Sequence, residues 1–520
     1  MEIIKTSKIC AAFKKLFSSE NGSPVFATFS GCFPVRALIS AMSAVSGVFT
    51  GCFLYRLLAK DDCFAAGMRS SAIFGFINKI IQGIISFFSK LYSFLFSINE
   101  DSLNRRAFNA VCRKFDLTYE NFLGVVFIAF SLVPGSKWNN AYGLGAALIV
   151  AFLYVVALFG KKNLKCDIRG FSFSLLVFMM TCFVAVITSS ERGDSLRVLT
   201  FFVTSFLFTL VIAGSLTDED KIDNFTGFIY VGVLLTSVIC VIQSAVGIEF
   251  DSQLVDIASS GNISRAFSTF ENPNNYAEYL ILLMPFSAAF ALNRKGFKRV
   301  LLTLLLLIPF AALVLTYSRS CWVSFAISII VFILLYDYRV FPYLIVICLV
   351  ALPFLPATIR RRLTTIGNME DTSNHYRVEI WQGALRMIKK HGLSGTGLGP
   401  AAFAKYYRSY AVPSAITAPH SHMLYLEIFL EAGILSILSF ICWWLMTLKR
   451  GITVLISKKN ISGRLKNVII ASIASFTSMI FVSGVEYIWF YPRVMITFFI
   501  AAGITLAALG AADSGRAGKE

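Results

Sequence analysis

Four side chains have the chemistry for a reaction: His420 and His422, two residues apart, and Arg319 and Arg377 further up the chain. Imidazole takes and gives a proton near neutral pH. Guanidinium grips phosphate oxygens two at a time. Arg319 lies in a short turn between two apolar runs (Leu-Thr-Tyr-Ser-Arg319-Ser-Cys-Trp). A charge so close to hydrocarbon is costly unless it faces a polar cavity or a partner, or snorkels to the interface. Two arginines and a histidine converging on one face would suit a diphosphate leaving group and a hydroxyl nucleophile. Two histidines at this spacing also raise a metal site, but no clustered carboxylates or cysteines complete it, so no metal is expected.

These residues belong to, or lead into, one polar stretch, Arg360 to Gly433. It holds all four histidines (His375, His391, His420, His422) and nine Lys or Arg. Within it Val378, Trp381, Leu385 and Ile388 recur at helical spacing, which predicts an amphipathic helix at the membrane surface, stopped by Gly392. The run Gly395-Thr-Gly397-Leu-Gly399-Pro400 resembles a phosphate cradle, but no strand precedes it and no Gly-Lys-Ser/Thr follows; a helix stop and tight turn fits better. Asn272-Pro273-Asn274-Asn275 reads as the cap of a following helix. Glu278, Glu427, Glu431 and Glu486 fall near the ends of apolar runs, where interfacial exposure is the plain expectation.

The positioning elements follow from composition. Of 520 residues, 57% are apolar and 15% charged, well under the roughly 25% charge of soluble domains. Apolar runs are placed at 118–134, 141–160, 171–188, 198–215, 225–246, 277–292, 300–316, 321–336, 341–355, 423–447, 467–485 and 494–511. In lipid only a helix or a closed barrel satisfies its own backbone. The expected fold class is therefore all-α: a polytopic membrane protein of about twelve transmembrane helices over 118–511, with a large outer loop, 356–422, between helices nine and ten. Lys161, Lys162, Lys165, Arg169, Arg294, Lys295, Lys298, Arg299 and Lys449 to Lys466 crowd alternate loops, which places those loops and both termini in the cytoplasm. Residues 1–117 form a basic, amphipathic cytoplasmic or interfacial region in which 72–96 lies on the membrane or spans it; 512–520 is a cytoplasmic tail, and no signal peptide is expected. The net charge of +18 is that of cytoplasmic loops and outer-loop cations, so no nucleic-acid partner is expected. The eleven scattered cysteines read as small apolar residues. A transporter or lipid flippase is the rival class; it would place ionisable residues at the midplane of repeated halves, and no such repeat is seen.

Five pieces, in order, carry a resemblance: Phe267-Ser-Thr-Phe-Glu-Asn-Pro-Asn274-Asn-Tyr-Ala, Thr316-Tyr-Ser-Arg319-Ser, Tyr376-Arg377-Val-Glu-Ile-Trp381, Gly395-Thr-Gly-Leu-Gly, and His420-Ser-His422-Met-Leu-Tyr-Leu-Glu-Ile-Phe-Leu-Glu431-Ala-Gly433. Together they resemble the O-antigen ligase and polymerase family of membrane glycosyltransferases. The resemblance implies an undecaprenyl-diphosphate-linked glycan as donor, a glycan or lipid as acceptor, reaction at the outer leaflet, and no cofactor, nucleotide sugar or metal. It implies that Arg319 and Arg377 bind the donor diphosphate and that His422 activates the acceptor hydroxyl. His420, Asn274, Trp381 and Arg386 are expected to contact substrate around them. Two positions depart from the family pattern: Met423 follows the histidine where Asn, Ser or Gln is usual, and Ser320 stands where Gly is frequent.

Overall fold

The computed structural model describes residues 118–159, 173–247, 265–368, 372–457 and 461–514, with isolated helical positions between 75 and 94. The expectations for residues 1–117 therefore lie outside the described residues. From residue 118 on the described chain is helical, without a strand. The α-helices are α1 (Tyr119–Leu132), α2 (Asn140–Phe159), α3 (Phe173–Thr188), α4 (Arg192–Ser215), α5 (Glu219–Val246), α6 (Pro273–Leu292), α7 (Gly296–Leu305), α8 (Leu307–Leu315), α9 (Arg319–Asp337), α10 (Phe341–Ala351), α11 (Ala357–Thr364), α12 (Thr372–His391), α13 (Pro400–Tyr407), α14 (Leu424–Ser457), α15 (Gly463–Ser483) and α16 (Pro492–Ser514).

Local chemistry sets several of these ends. Asp218 caps α5 by accepting from the Lys221 amide (3.0 Å), and Gly247 ends it in the left-handed region. Asn272 caps α6 through the Asn275 amide (3.0 Å), with Pro273 as first helical residue. Eight helical stretches among the described residues are long and apolar enough to cross a membrane, and Tyr119–Leu132, Asn140–Val155 and Phe173–Thr188 are shorter apolar helices. The runs expected at 321–336 and 341–355 form one path, Arg319–Val346, interrupted by a single 3-10 turn, Tyr338–Val340, at which Asp337 accepts from the Arg339 amide. α15 and α16 fill the middle of the bundle: α15 packs on α6 and α9, α16 on α4, while α3 packs on α14 and α5 on α1 and α6.

Arg493, at the start of α16, is fully buried. It donates to the carbonyls of Thr269 and Val133 (2.8 Å each) and lies over the rings of Trp138 and Phe270. Its charge is thus spread over backbone dipoles and π faces, which lowers the cost of burial. The bonds tie the segment entering α6 to the end of α1.

A smaller cap, α11 to α13 and the loop to His422, lies between α10 and α14. Its core is Ile380, Ala384, Met387, Phe403, Tyr407, Ala415, Ala418 and Leu430. The buried face of α12 is therefore Ile380, Gly383, Ala384 and Met387, not the expected Val378, Trp381, Leu385 and Ile388; Leu385 is 53% exposed. Small residues cause the rotation. A Cβ on Gly383 would meet the Tyr407 ring at 2.8 Å, so the Tyr407 ring packs where only glycine leaves room.

α14 is broken at Gly433, whose φ is 82° and ψ −177°. The break frees carbonyls that a continuous helix would use. The glycine loop takes them: the Thr396 amide donates to Leu430 O (2.8 Å), Gly397 to Glu431 O (3.0 Å), and Ile434 donates to Gly392 O (2.8 Å). The loop's amides are thus engaged by protein acceptors, which agrees with a turn rather than a phosphate cradle. That region of φ/ψ is open to glycine and costs other residues about 1–3 kcal/mol. Gly433→Ala is therefore expected to lower the unfolding temperature and the membrane level of the chain. Equal melting curves for variant and wild type in detergent would contradict this role.

Candidate active site

The site is built on a turn. Thr316 to Ser318 joins α8 to α9, and Tyr317 there has φ 52°. A bulky residue in the left-handed region persists only where its surroundings over-determine it. Two arginines do so here. Arg265 Nε donates to the Thr316 carbonyl (2.9 Å), and Arg362 Nε to the Tyr317 carbonyl (3.3 Å). Arg319 begins α9 and sends Nη1 to Thr365 Oγ1 (2.9 Å) at the end of α11.

Glu486, in the turn between α15 and α16, gathers the other elements. Its Oε1 accepts from Arg377 Nη2 (2.5 Å), Ser320 Oγ (3.3 Å) and Asn274 Nδ2 (3.4 Å). Asn274 Oδ1 in turn accepts from Arg265 Nη2 (2.6 Å). One carboxylate oxygen thereby joins α6, α9 and α12. The Glu486 backbone carbonyl also accepts from the Leu424 amide (3.1 Å), which fixes the start of α14 directly after the histidines.

His422 has φ 53°. Its amide donates to His420 Nδ1 (3.1 Å), and the two rings lie 4.1 Å apart. Tyr376, one residue before Arg377, meets the His422 ring edge-on. Burial pushes the His422 imidazole down to about 4; Glu486 opposes that shift and Arg377 adds to it. Burial, then the neighbouring His422 and Arg377, pushes His420 down to about 2. A histidine held neutral beside a guanidinium can accept a proton, and an acidic pH does not silence it at its ordinary 6.5. Because the folded value lies below the ordinary one, the rate of any reaction using this base should hold as pH falls through 6.5 and fail with a midpoint near 4. A pH profile of kcat/KM checks this; an acid limb at 6.5 attributable to His422 would contradict it.

The structure thus brings together Arg377, His420, His422 and Asn274. Arg319 adjoins Ser320, which shares Glu486, while its own guanidinium is turned to Thr365. Trp381 and Arg386 are not joined to the cluster by any hydrogen bond among the described residues. The Trp381 Nε1 is buried without a hydrogen-bond partner, and exposed Arg386 donates to the Tyr410 carbonyl (3.5 Å). The four glutamates expected at the interface are all buried: Glu278 at 3%, Glu427 at 1%, Glu431 at 2% and Glu486 at 6% exposure. Three of them have fixed partners: Glu486 those given above, while Glu431 accepts from the Gly399 amide and Glu427 from the Ser421 amide (2.7 Å each).

Sequence reasoning missed Arg265, Arg362 and Glu486 as members of the site. Arg265 stands two residues before Phe267-Ser-Thr-Phe with no pattern to single it out, and Arg362 closes a run of three arginines among the nine cations of the polar stretch. Among the described residues no group of three or more His, Cys, Asp or Glu could hold a metal ion. Four arginines tied into one corner, with Glu486 as the carboxylate on Arg377, make a setting for an anion.

A search of curated proteins finds no match to the chain. A family model described as O-antigen ligase matches residues 303–441, which run from α7 into α14 and include Arg319, Arg377, His420, His422 and Gly433. Over that stretch the chain is similar to the O-antigen ligase family, and the match supports the resemblance carried by Arg319, Arg377 and His422.

Proposed function

We propose that this chain transfers a glycan from undecaprenyl diphosphate to an acceptor hydroxyl at the outer face of the cell membrane, as a polymerase or ligase of surface polysaccharide. Neutral His422, lodged beside the Arg377–Glu486 pair, carries this reading. His422 takes the proton of the acceptor hydroxyl. The acceptor oxygen bonds to the anomeric carbon as the bond from that carbon to the diphosphate breaks, and the electron pair leaves with the diphosphate. Arg377 and Arg319 stabilise the charge developing on it. Asn274, Trp381 and Arg386 contact the glycan or its diphosphate. Orientation in the cap supplies much of the remaining acceleration. No metal or cofactor enters. In this reading the cap over 356–422 faces outward, and both termini are cytoplasmic.

The test is genetic. The gene is deleted in its host and restored as wild type, His422→Ala, Arg319→Ala or Arg377→Ala at matched membrane levels, and surface polysaccharide is sized on a gel. Long chains with wild type and single repeat units with the variants support a polymerase. Glycan held on undecaprenyl diphosphate, with none on the final acceptor, supports a ligase. Wild-type profiles from all three variants would overturn the proposal and favour a transporter.

A further inference from the structure

We propose that His420 is a positioning residue: its Nδ1 holds the His422 backbone amide and thereby fixes the left-handed turn that presents the His422 imidazole. The proposal rests on the assignment of His422 as base, and it replaces the substrate contact expected of His420.

The geometry is that of an Asx turn, in which a side-chain acceptor takes the amide two residues on. Here a ring nitrogen plays the part of the Asn oxygen, at 3.1 Å. An accepting nitrogen carries no proton, so the proton of the neutral ring sits on Nε2. Protonation of Nδ1 would break the turn, and the surroundings oppose it. Phe490 lies 4.3 Å and Tyr487 5.5 Å from the His420 ring, centroid to centroid, and His420 is 8% exposed. The turn's other backbone groups have outside partners: the Ser421 amide goes to Glu427 and the Leu424 amide to the Glu486 carbonyl. His420 provides the acceptor for His422 itself. At φ 53° the His422 backbone is strained, and that bond is what holds it.

Three substitutions at His420 separate the roles. In His420→Asn, Oδ1 takes the place of Nδ1; in His420→Gln, Oε1 takes the place of Nε2; His420→Phe fills the aromatic box without an acceptor. The full-length chain in membranes is assayed with an undecaprenyl-diphosphate-linked repeat unit, at matched levels and with melting curves, and His422→Ala runs alongside. The Asn variant is expected to keep the wild-type rate. The Gln and Phe variants are expected to lose about 100-fold, in kcat rather than in KM for the donor. Full activity in His420→Phe would reduce the residue to packing and overturn the proposal. Activity kept by Gln and lost by Asn would overturn it in favour of a substrate contact through Nε2. If Asn and Phe fail equally while both fold and His422→Ala is inactive, the positioning role falls and the base stands. If His422→Ala retains full rate, the base assignment falls, and this role with it.

Discussion

His422→Ala is expected to lower glycan transfer by about 10²–10⁴-fold, the range over which a positioned acid–base group contributes. The size follows from what no neighbour can supply. The imidazole is held neutral by burial, and the next histidine is occupied with the His422 amide. The nearby carboxylate of Glu486 is bonded to Arg377. Folding should survive, since the alanine backbone can remain in a turn whose other amides are fixed by Glu427 and Glu486. Membrane abundance and melting temperature measured beside the rate separate the two effects. An unchanged rate at wild-type abundance would remove His422 from the chemistry.

The second large effect lies in the pair Arg377 and Glu486. Arg377→Ala should cost about 10²–10³-fold, as loss of one preorganised charge-stabilising donor does elsewhere. It also strands a buried carboxylate. Arg377→Lys should recover little, because an ammonium cannot hold Glu486 and grip phosphate oxygens with a planar fork. Glu486→Gln keeps an oxygen for Ser320 and Asn274 but no longer balances Arg377. The two residues touch, so the double variant should lose less than the two single losses multiplied together, with a coupling of about 0.5–3 kcal/mol. Strict additivity in initial rates would show that the ion pair does not act as a unit.

Much of the fold is legible because lipid leaves the chain few choices. An apolar run near twenty residues must satisfy its backbone internally, so Glu219–Val246 or Pro492–Asp513 can be seen in the sequence as helices. The glycine run was also readable as a turn, since the residues of a nucleotide cradle do not flank it. The rest depends on long-range partners that local pattern does not carry. Glu486 is followed by Tyr487, Ile488, Trp489 and Phe490, a sequence that looks interfacial, and its partner Arg377 lies 109 residues away. The face of α12 was misjudged because Gly383 and Ala384, weak in any apolar pattern, are what Tyr407 packs against. Arg319, Arg377 and His422 stood out as residue types. The turns that aim them, at Tyr317 and His422, are backbone states fixed by Arg265, Arg362 and His420 from outside their own local sequence or by a side chain that looked like a ligand.

The most direct measurement uses the purified full-length chain in lipid, given an undecaprenyl-diphosphate-linked repeat unit and a hydroxyl acceptor in the presence of a metal chelator, with released undecaprenyl diphosphate and glycan product followed together. Wild type should release the diphosphate in step with new glycosidic linkage, and His422→Ala should release almost none. Absence of release from wild type, or equal release from His422→Ala, would contradict glycan transfer by this site.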